Sequence, residues 1–437
     1  MTASGAYWRN WSRTERVKPV RIERPSTVDA VQRAVAAAGE QGLTIKPVGA
    51  GHSFTGIAVA PGVQLDLDDL SGIVSVDRAL ARVTLAAGTR LFAVPRLLEP
   101  FGLALENMGD IDRQSIAGAT STGTHGTGGG FGGLATQIVA LTLVTGNGEL
   151  LHISETENAG LLPAARLGLG ALGVLVDLTI QCVAAFVLHA LERPEPLGAA
   201  IDSYLQRSAE EDHFEFYWFP HTDTALTKTN TRLPADAQRH PLGRVGRFMD
   251  DEFLANGVYR GVCRAGTMVP GIIPPFNRAA QRMTGNREFT DASPSVFVTN
   301  RTVRFREMEY ALPRNAVPEA LTELRALITA RGWRISFPVE VRSATADDNW
   351  LSTAYGRDTG YVAVHRYFRE DPTEYFRAVE AIMTAHEGRP HWGKIHTRDA
   401  ESLRELYPRF DDFLAVRDKL DPDRVFTNPY LRMVLGG

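Results

Sequence analysis

The spacing of apolar and polar positions changes several times along the chain, and each change marks an element. "VRIERP" (20–25) alternates and predicts a short strand. In "TVDAVQRAVAAAGEQ" (27–41) apolar residues recur at helical spacing, Ser26 and Asp29 fit a capping box, and Gly42 suits the C-terminal stop. "LTIKPV" (43–48) returns as a strand, which completes a β-α-β unit. "VQLDLDDL", "GIVSVD" and "ARVTLAAG" (63–88) read as short strands, and "RLFAVPRLLEPFG" (90–102) reads as a helix. "QIVALTLVTGNGELLHIS" (137–154) is two strands about a Gly-Asn-Gly turn, and "VLVDLTIQCV" (174–183) is a further strand.

Composition shifts at "AAFVLHALERPEP" (184–196), a domain boundary. Beyond it "HFEFYWFPH" (213–221) and "TALTKTNTR" (224–232) are strand-like, and 256–283 is mixed. From 303 to 388 the order is strand, helix, strand, strand, helix, which predicts an antiparallel sheet backed by helices. The final "DPDRVFTNPYLRMVLGG" (421–437) reads as a return to the first domain. The expected class is α+β, with domains at 1–187 and 188–404 and a C-terminal segment at 405–437.

Bulk properties narrow the function. With 437 residues, 44% of them hydrophobic, the chain can bury more than one core. Lys plus Arg is 47 against 51 for Asp plus Glu, a formal charge of −4, which does not recruit nucleic acid. The two cysteines, Cys182 and Cys263, form no CxxC pair, so neither a disulfide framework nor a thiolate metal site is expected. No apolar run approaches the roughly 18 residues of a membrane span, so membrane contact is at most peripheral. The expected location is the cytoplasm.

Two glycine-rich stretches carry the candidate chemistry: "PVGAGHSFTG" (47–56) and "TSTGTHGTGGG" (120–130). Each mixes glycine with small hydroxyl residues and holds one histidine, His52 or His125. Such loops aim backbone N–H groups at a pyrophosphate without needing a lysine. The pattern GxGxxG occurs at Gly168, Gly170 and Gly173, but a strand follows it where a dinucleotide fingerprint needs a helix. It reads as a tight turn against another ligand wall. No carboxylate or cysteine stands at ligand spacing from either histidine, so no metal is expected.

In "RISFPVEVR" (334–342), Glu340 and Arg342 share one face of a strand, with Ile335, Phe337, Val339 and Val341 on the core face. The pair is either a solvated ion pair or two groups reaching one ligand. His365 shares a face with Ala363 and Tyr367, and "PHWGKIHT" (390–397) concentrates His391, Trp392, Lys394 and His396 in a loop.

Together with "YWRNWSRT" (7–14), "LALENMGDIDRQSIAGATSTGTHGTG" (103–128) and "LGALGVLVDLTI" (169–180), these motifs span nearly the whole chain. The sequence resembles the aldonolactone oxidases and dehydrogenases of the vanillyl-alcohol-oxidase flavoprotein superfamily, the gulono- and arabinono-1,4-lactone oxidase type, with the alditol oxidases as close relatives. The resemblance implies two domains: one that binds FAD, and an antiparallel-sheet cap over the isoalloxazine. It implies oxidation of a sugar-1,4-lactone by hydride transfer to flavin N5, with an alditol oxidase, or a lactone dehydrogenase using a non-oxygen electron acceptor, as the alternatives. A nucleotide-binding module without redox chemistry is the competing class.

The resemblance places Gly49, Ala50, Gly51, His52, Ser53 and Phe54 on the cofactor, with His52 bonded covalently to the 8α-methyl carbon. It adds Gly109, Asp110, Ser115, Gly118, Thr120 and Ser121, then Gly123, Thr124, His125, Gly126, Gly173 and Val174. Arg342 and Lys394 would stabilise developing negative charge, Glu340 would orient Arg342 and hold a substrate hydroxyl, and His365 would accept a proton. Gly109 stands where some dehydrogenases of the family carry alanine, so dioxygen is the expected acceptor and hydrogen peroxide the product. Asp110 departs from the small neutral residue of the alditol branch and disfavours a plain polyol.

Overall fold

A computed structural model describes residues 6–243, 259–283, 285–299 and 303–437. Of the mixed stretch 256–283, residues 256–258 lie outside the described residues, and the rest holds helices Tyr259–Met268 and Ile273–Met283. The α+β class holds.

The first helix, Val28–Glu40, buries Val31, Ala34, Val35 and Ala38, the i, i+3, i+4, i+7 stripe of an amphipathic helix. Its cap is Thr27 and not the expected Ser26: Thr27 Oγ1 accepts the Ala30 N–H at 3.2 Å. Gly42 follows the last turn at φ 62°, the left-handed conformation glycine adopts freely. The flanking strands Arg21–Glu23 and Ile45–Val48 both pair in parallel with Val63–Asp66 between them. A second sheet of five antiparallel strands runs Leu150–Ser154, Ile138–Val144, Val174–Gln181, Arg82–Ala86, Ile73–Asp77. The two sheets and the helix share one core. The helix expected over 90–102 is confined to Val94–Leu98 with a 3₁₀ turn on each side. The stretch after Gln114, for which no element was expected, holds helix Ile116–Ser121, capped by Ser115 Oγ on the Gly118 N–H. Its small residues give no apolar stripe to read.

The third sheet has eight antiparallel strands. Five carry the site: β1 (His213–Trp218), β2 (Thr224–Leu233), β3 (Phe305–Pro313), β4 (Val339–Ala344) and β5 (Thr359–Tyr367), in spatial order β2-β1-β4-β5-β3. Helices Leu197–Glu210, Val317–Arg331 and Thr373–Ala385 pack on one face through Phe214, Phe216, Val341 and Val362. Period-two alternation therefore sends Glu215, Tyr217, Glu307, Glu309, Glu340 and Arg342 to the other face. That face is not solvated, because every residue of β4 is buried. β4 also starts five residues later than expected, since Pro338 has no N–H to give the ladder. Ile335 joins the helix-backed core, but Phe337 turns the other way and packs with Phe54, Phe305 and Tyr367.

The C-terminal segment packs on the first two sheets. Ile45 N–H donates to Val425 O and Gly146 N–H to Leu420 O, both at 2.8 Å. Asn428, fully buried, donates to the carbonyls of Gly56, Ile57 and Val59 at 2.9–3.0 Å and caps helix Pro429–Leu435 through Oδ1. Cys182 and Cys263 are buried and free. No helix among the described residues is long and apolar enough to cross a membrane.

Candidate active site

A cleft of about 1720 Å³, open mouth included, runs between the glycine loops and the polar face of the third sheet. Strand Ile45–Val48 delivers the first loop to its wall, so Gly49, Ala50, Gly51, His52, Ser53 and Phe54 all line it. The N-terminal turn holds this loop in place. Trp11 N–H donates to Gly51 O at 2.7 Å, Asn10 Nδ2 to Ser53 O at 2.9 Å, and Thr14 Oγ1 to Phe54 O at 2.7 Å.

On the facing wall stand Gly109, Asp110, Ser115, Gly118, Ser121, Thr124 and His125. Gly168, Gly170 and Gly173 of the misplaced GxGxxG line it too. Four expected cofactor residues do not line it. Thr120 turns inward and donates to Ile116 O, Gly123 makes a turn at φ 83°, and Val174 is a strand residue of the first core. Gly126 packs on Asn107 and Met108, where any Cβ would strike their atoms.

The other end of the cleft is ionic. Glu340, Arg342 and Lys394 line it. Arg342 Nε donates to Glu215 Oε2 at 2.8 Å, and Nη2 meets Glu340, Asp110 at 3.3 Å and Tyr217 Oη at 3.2 Å. Burial opposes charge here, but Glu340 and Asp110 raise the guanidinium further above its usual range. Burial likewise opposes the Glu215 charge, yet Lys228 and Arg342 hold its carboxyl well below the carboxylate range. Lys394 pairs with Glu307 and stands 3.9 Å from Glu309. These two outweigh its burial and raise it, so Lys394 is a fixed cation. His365 does not line the cleft: Nδ1 bonds Pro338 O at 2.9 Å and Nε2 stands 3.5 Å from Glu307.

Glu215, Tyr217, Lys228, Glu307 and Glu309 were not singled out from sequence. The i, i+2 carboxylates of "REMEY" carried the same signal as Glu340 and Arg342, on a strand expected with that alternation.

His125, Glu309 and His391, from three separate segments, bring their ligand atoms within 4.8 Å of one another, which no test of sequence spacing detects. Each of the three takes part in a hydrogen bond. His125 Nε2 bonds Glu309 at 2.9 Å and Nδ1 faces Gly126 O at 2.8 Å, while His391 Nδ1 accepts the Gly393 N–H at 3.0 Å. The group is a hydrogen-bonded cluster that ties the second glycine loop to β3. His52 stacks on Trp11 with ring centroids 5.6 Å apart. Burial, then the positive Lys394, Arg90 and Arg113, lower it to about 4, so its imidazole is neutral.

The cleft fits a dinucleotide. Two walls are backbone and small side chains, and Gln114 Oε1, buried in the lining, has no hydrogen-bond partner among the described residues. Residues 19–154 match the FAD binding domain family, and with the relatives below this makes the chain a flavoprotein oxidoreductase. The chain belongs to the D-arabinono-1,4-lactone oxidase family, which matches residues 178–434. It is 44% identical to the L-gulono-1,4-lactone dehydrogenase of Mycobacterium tuberculosis over 98% of this chain and 99% of that protein. The L-gulonolactone oxidase of Bos taurus is 34% identical over 98% of each chain. Cholesterol oxidase from Brevibacterium sterolicum, at 21% identity and a TM-score of 0.81 over 98% of this chain and 96% of that one, shares the fold.

Proposed function

We propose that the chain oxidises a carbinol of a sugar-1,4-lactone, with FAD held in the cleft through a bond to His52 and dioxygen as acceptor. The observation that carries the reading is the meeting of Arg342 and Lys394 at one end of a cleft whose other end is two glycine loops. The names of relatives that match nearly end to end supply the lactone class.

Bound FAD supplies the two-electron acceptor. Arg342 spends Nε and Nη2 on protein acceptors, while Nη1 makes no hydrogen bond among the described residues and is the donor for a substrate oxygen. Lys394, a compact charge lining the same cleft, shares the stabilisation of the developing alkoxide. Glu340 holds a substrate hydroxyl. His365, set back from the cleft, takes the hydroxyl proton through Glu307 and not directly. The neutral imidazole of His52 suits it to bond the flavin. Gly109 leaves no side chain on the wall, which favours an oxygen path.

Anaerobic mixing with gulono-, galactono- and arabinono-1,4-lactone should bleach the flavin, and alditols should not; bleaching by alditols alone reverses the substrate class. Acid precipitation should leave the yellow colour in the pellet, and colour in the supernatant removes the His52 bond. A dehydrogenase is the second reading, favoured by the name of the 44% identical relative. Mixing the bleached enzyme with oxygenated buffer separates the two, since reoxidation far slower than dye-coupled turnover identifies a dehydrogenase.

A further inference from the structure

We propose that the N-terminal turn Trp8–Glu15 presents His52 to the flavin, with Trp11 as the positioning residue for its imidazole. The inference rests on the histidyl-flavin reading above. The indole lies along the imidazole with only 21° between the planes. It is fixed on two further sides, edge-on to Phe54 at 6.2 Å and to Phe305 at 5.3 Å, so it does not swing away with the imidazole. Phe305 belongs to β3, which makes the wedge a contact from the third sheet as well as from the turn.

The turn also fixes the backbone on which His52 stands. Its hydrogen bonds reach the carbonyls of Gly51, Ser53 and Phe54, on both sides of His52. Gly51 sits at φ 67°, where a Cβ would lie 3.0 Å from the Trp8 ring. Asn10, the centre of the turn, is 3% exposed. Loop and ring are thus set from outside the loop, by a segment with no other assigned role.

The attachment balances as follows. One C–H bond of the flavin 8α-methyl group breaks and a C–N bond to His52 forms. The methyl proton and the imidazole N–H proton leave. Two electrons enter the isoalloxazine and pass to dioxygen, which with two protons becomes hydrogen peroxide. The nitrogen must approach one carbon along one line, and an angstrom of misplacement slows such a step about a hundredfold.

The experiment compares Trp11→Leu and Trp11→Phe with wild-type holoenzyme. Total FAD is read from absorbance, and covalent FAD from flavin fluorescence of the denatured protein on a gel. In Trp11→Leu the covalent share of the bound FAD should fall about tenfold or more while total FAD stays near wild type. Trp11→Phe, which keeps a ring plane, should restore most of the covalent share. Full attachment in Trp11→Leu overturns the proposal, and so does a loss of total FAD in step with covalent FAD, which is the mark of a merely structural residue. Noncovalent flavin in the wild type overturns the histidyl-flavin reading and this inference with it.

Discussion

Lys46 stands at the foot of the first glycine loop, 2% exposed, its ammonium bonded to Gly170 O at 2.8 Å. Burial, with Arg417 nearby, lowers it to about 7 despite Asp421. The unfolded value is about 10.4. Between the two, the unfolded chain holds the extra proton, so stability rises with pH by about 1.4 kcal/mol per unit and the full penalty is present below the folded value. Lys46→Met removes that slope. Its stability relative to wild type should shrink by about 1 kcal/mol per unit as urea denaturation is repeated from about pH 7.5 to 9.5. Parallel curves mean that Lys46 is charged in the fold. The buried pair Lys228–Glu215, 3.0 Å apart, answers to a different term. Glu215→Gln strands Lys228 and should cost about 3–5 kcal/mol, and adding Lys228→Met should recover much of it. A double variant no more stable than the single one places the loss at Arg342. Arg342→Lys, which lacks the planar fork, should slow flavin reduction about a hundredfold.

Among the elements, strands with clear alternation were legible in the sequence and boundaries were not. The order strand, helix, strand, strand, helix expected over 303–388 is the order found, with β3 at Phe305–Pro313 and β5 at Thr359–Tyr367. β4 was misplaced because a proline interrupts an otherwise perfect alternation, and Phe337 was misassigned with it. The glycine loops were visible by composition, yet the helix at Ile116–Ser121 was not, since small residues pack by shape and leave no periodic trace. The ionic cluster depends on register. Glu340 and Glu309 both stand opposite Ala363, from either side of β5, and pairing of this kind is tertiary information. Gly109 shows the same limit. A Cβ there would lie 3.1 Å from His125 O and 3.4 Å from Thr124 Cγ2, so the methyl group presses on the second glycine loop. Gly109→Ala should therefore slow reoxidation by oxygen and also lower the melting temperature; a slowed reoxidation with unchanged melting isolates the oxygen path.

On the scale of the molecule, the C-terminal segment packs on the first two sheets and the turn after Phe54. Asn428 alone satisfies three carbonyls of the turn after Phe54. Asn428→Ala removes a helix cap and orphans buried acceptors, a loss of about 2–4 kcal/mol that thermal melting should register. The interior thiols have a consequence for endurance. Under the proposed oxidase reading the enzyme works in its own peroxide, which attacks thiolate far faster than thiol. Burial pushes Cys182 up to about 11 and Cys263 to about 12, so neither offers that target. Among the described residues the exposed sulfurs are Met268, 81% exposed, and Met433, 41% exposed, and Met268 is the more open to the oxidant. After prolonged turnover, mass spectrometry should find oxygen on Met268 and both cysteines intact. Catalyst wear would then begin at the periphery and leave the flavin pocket working.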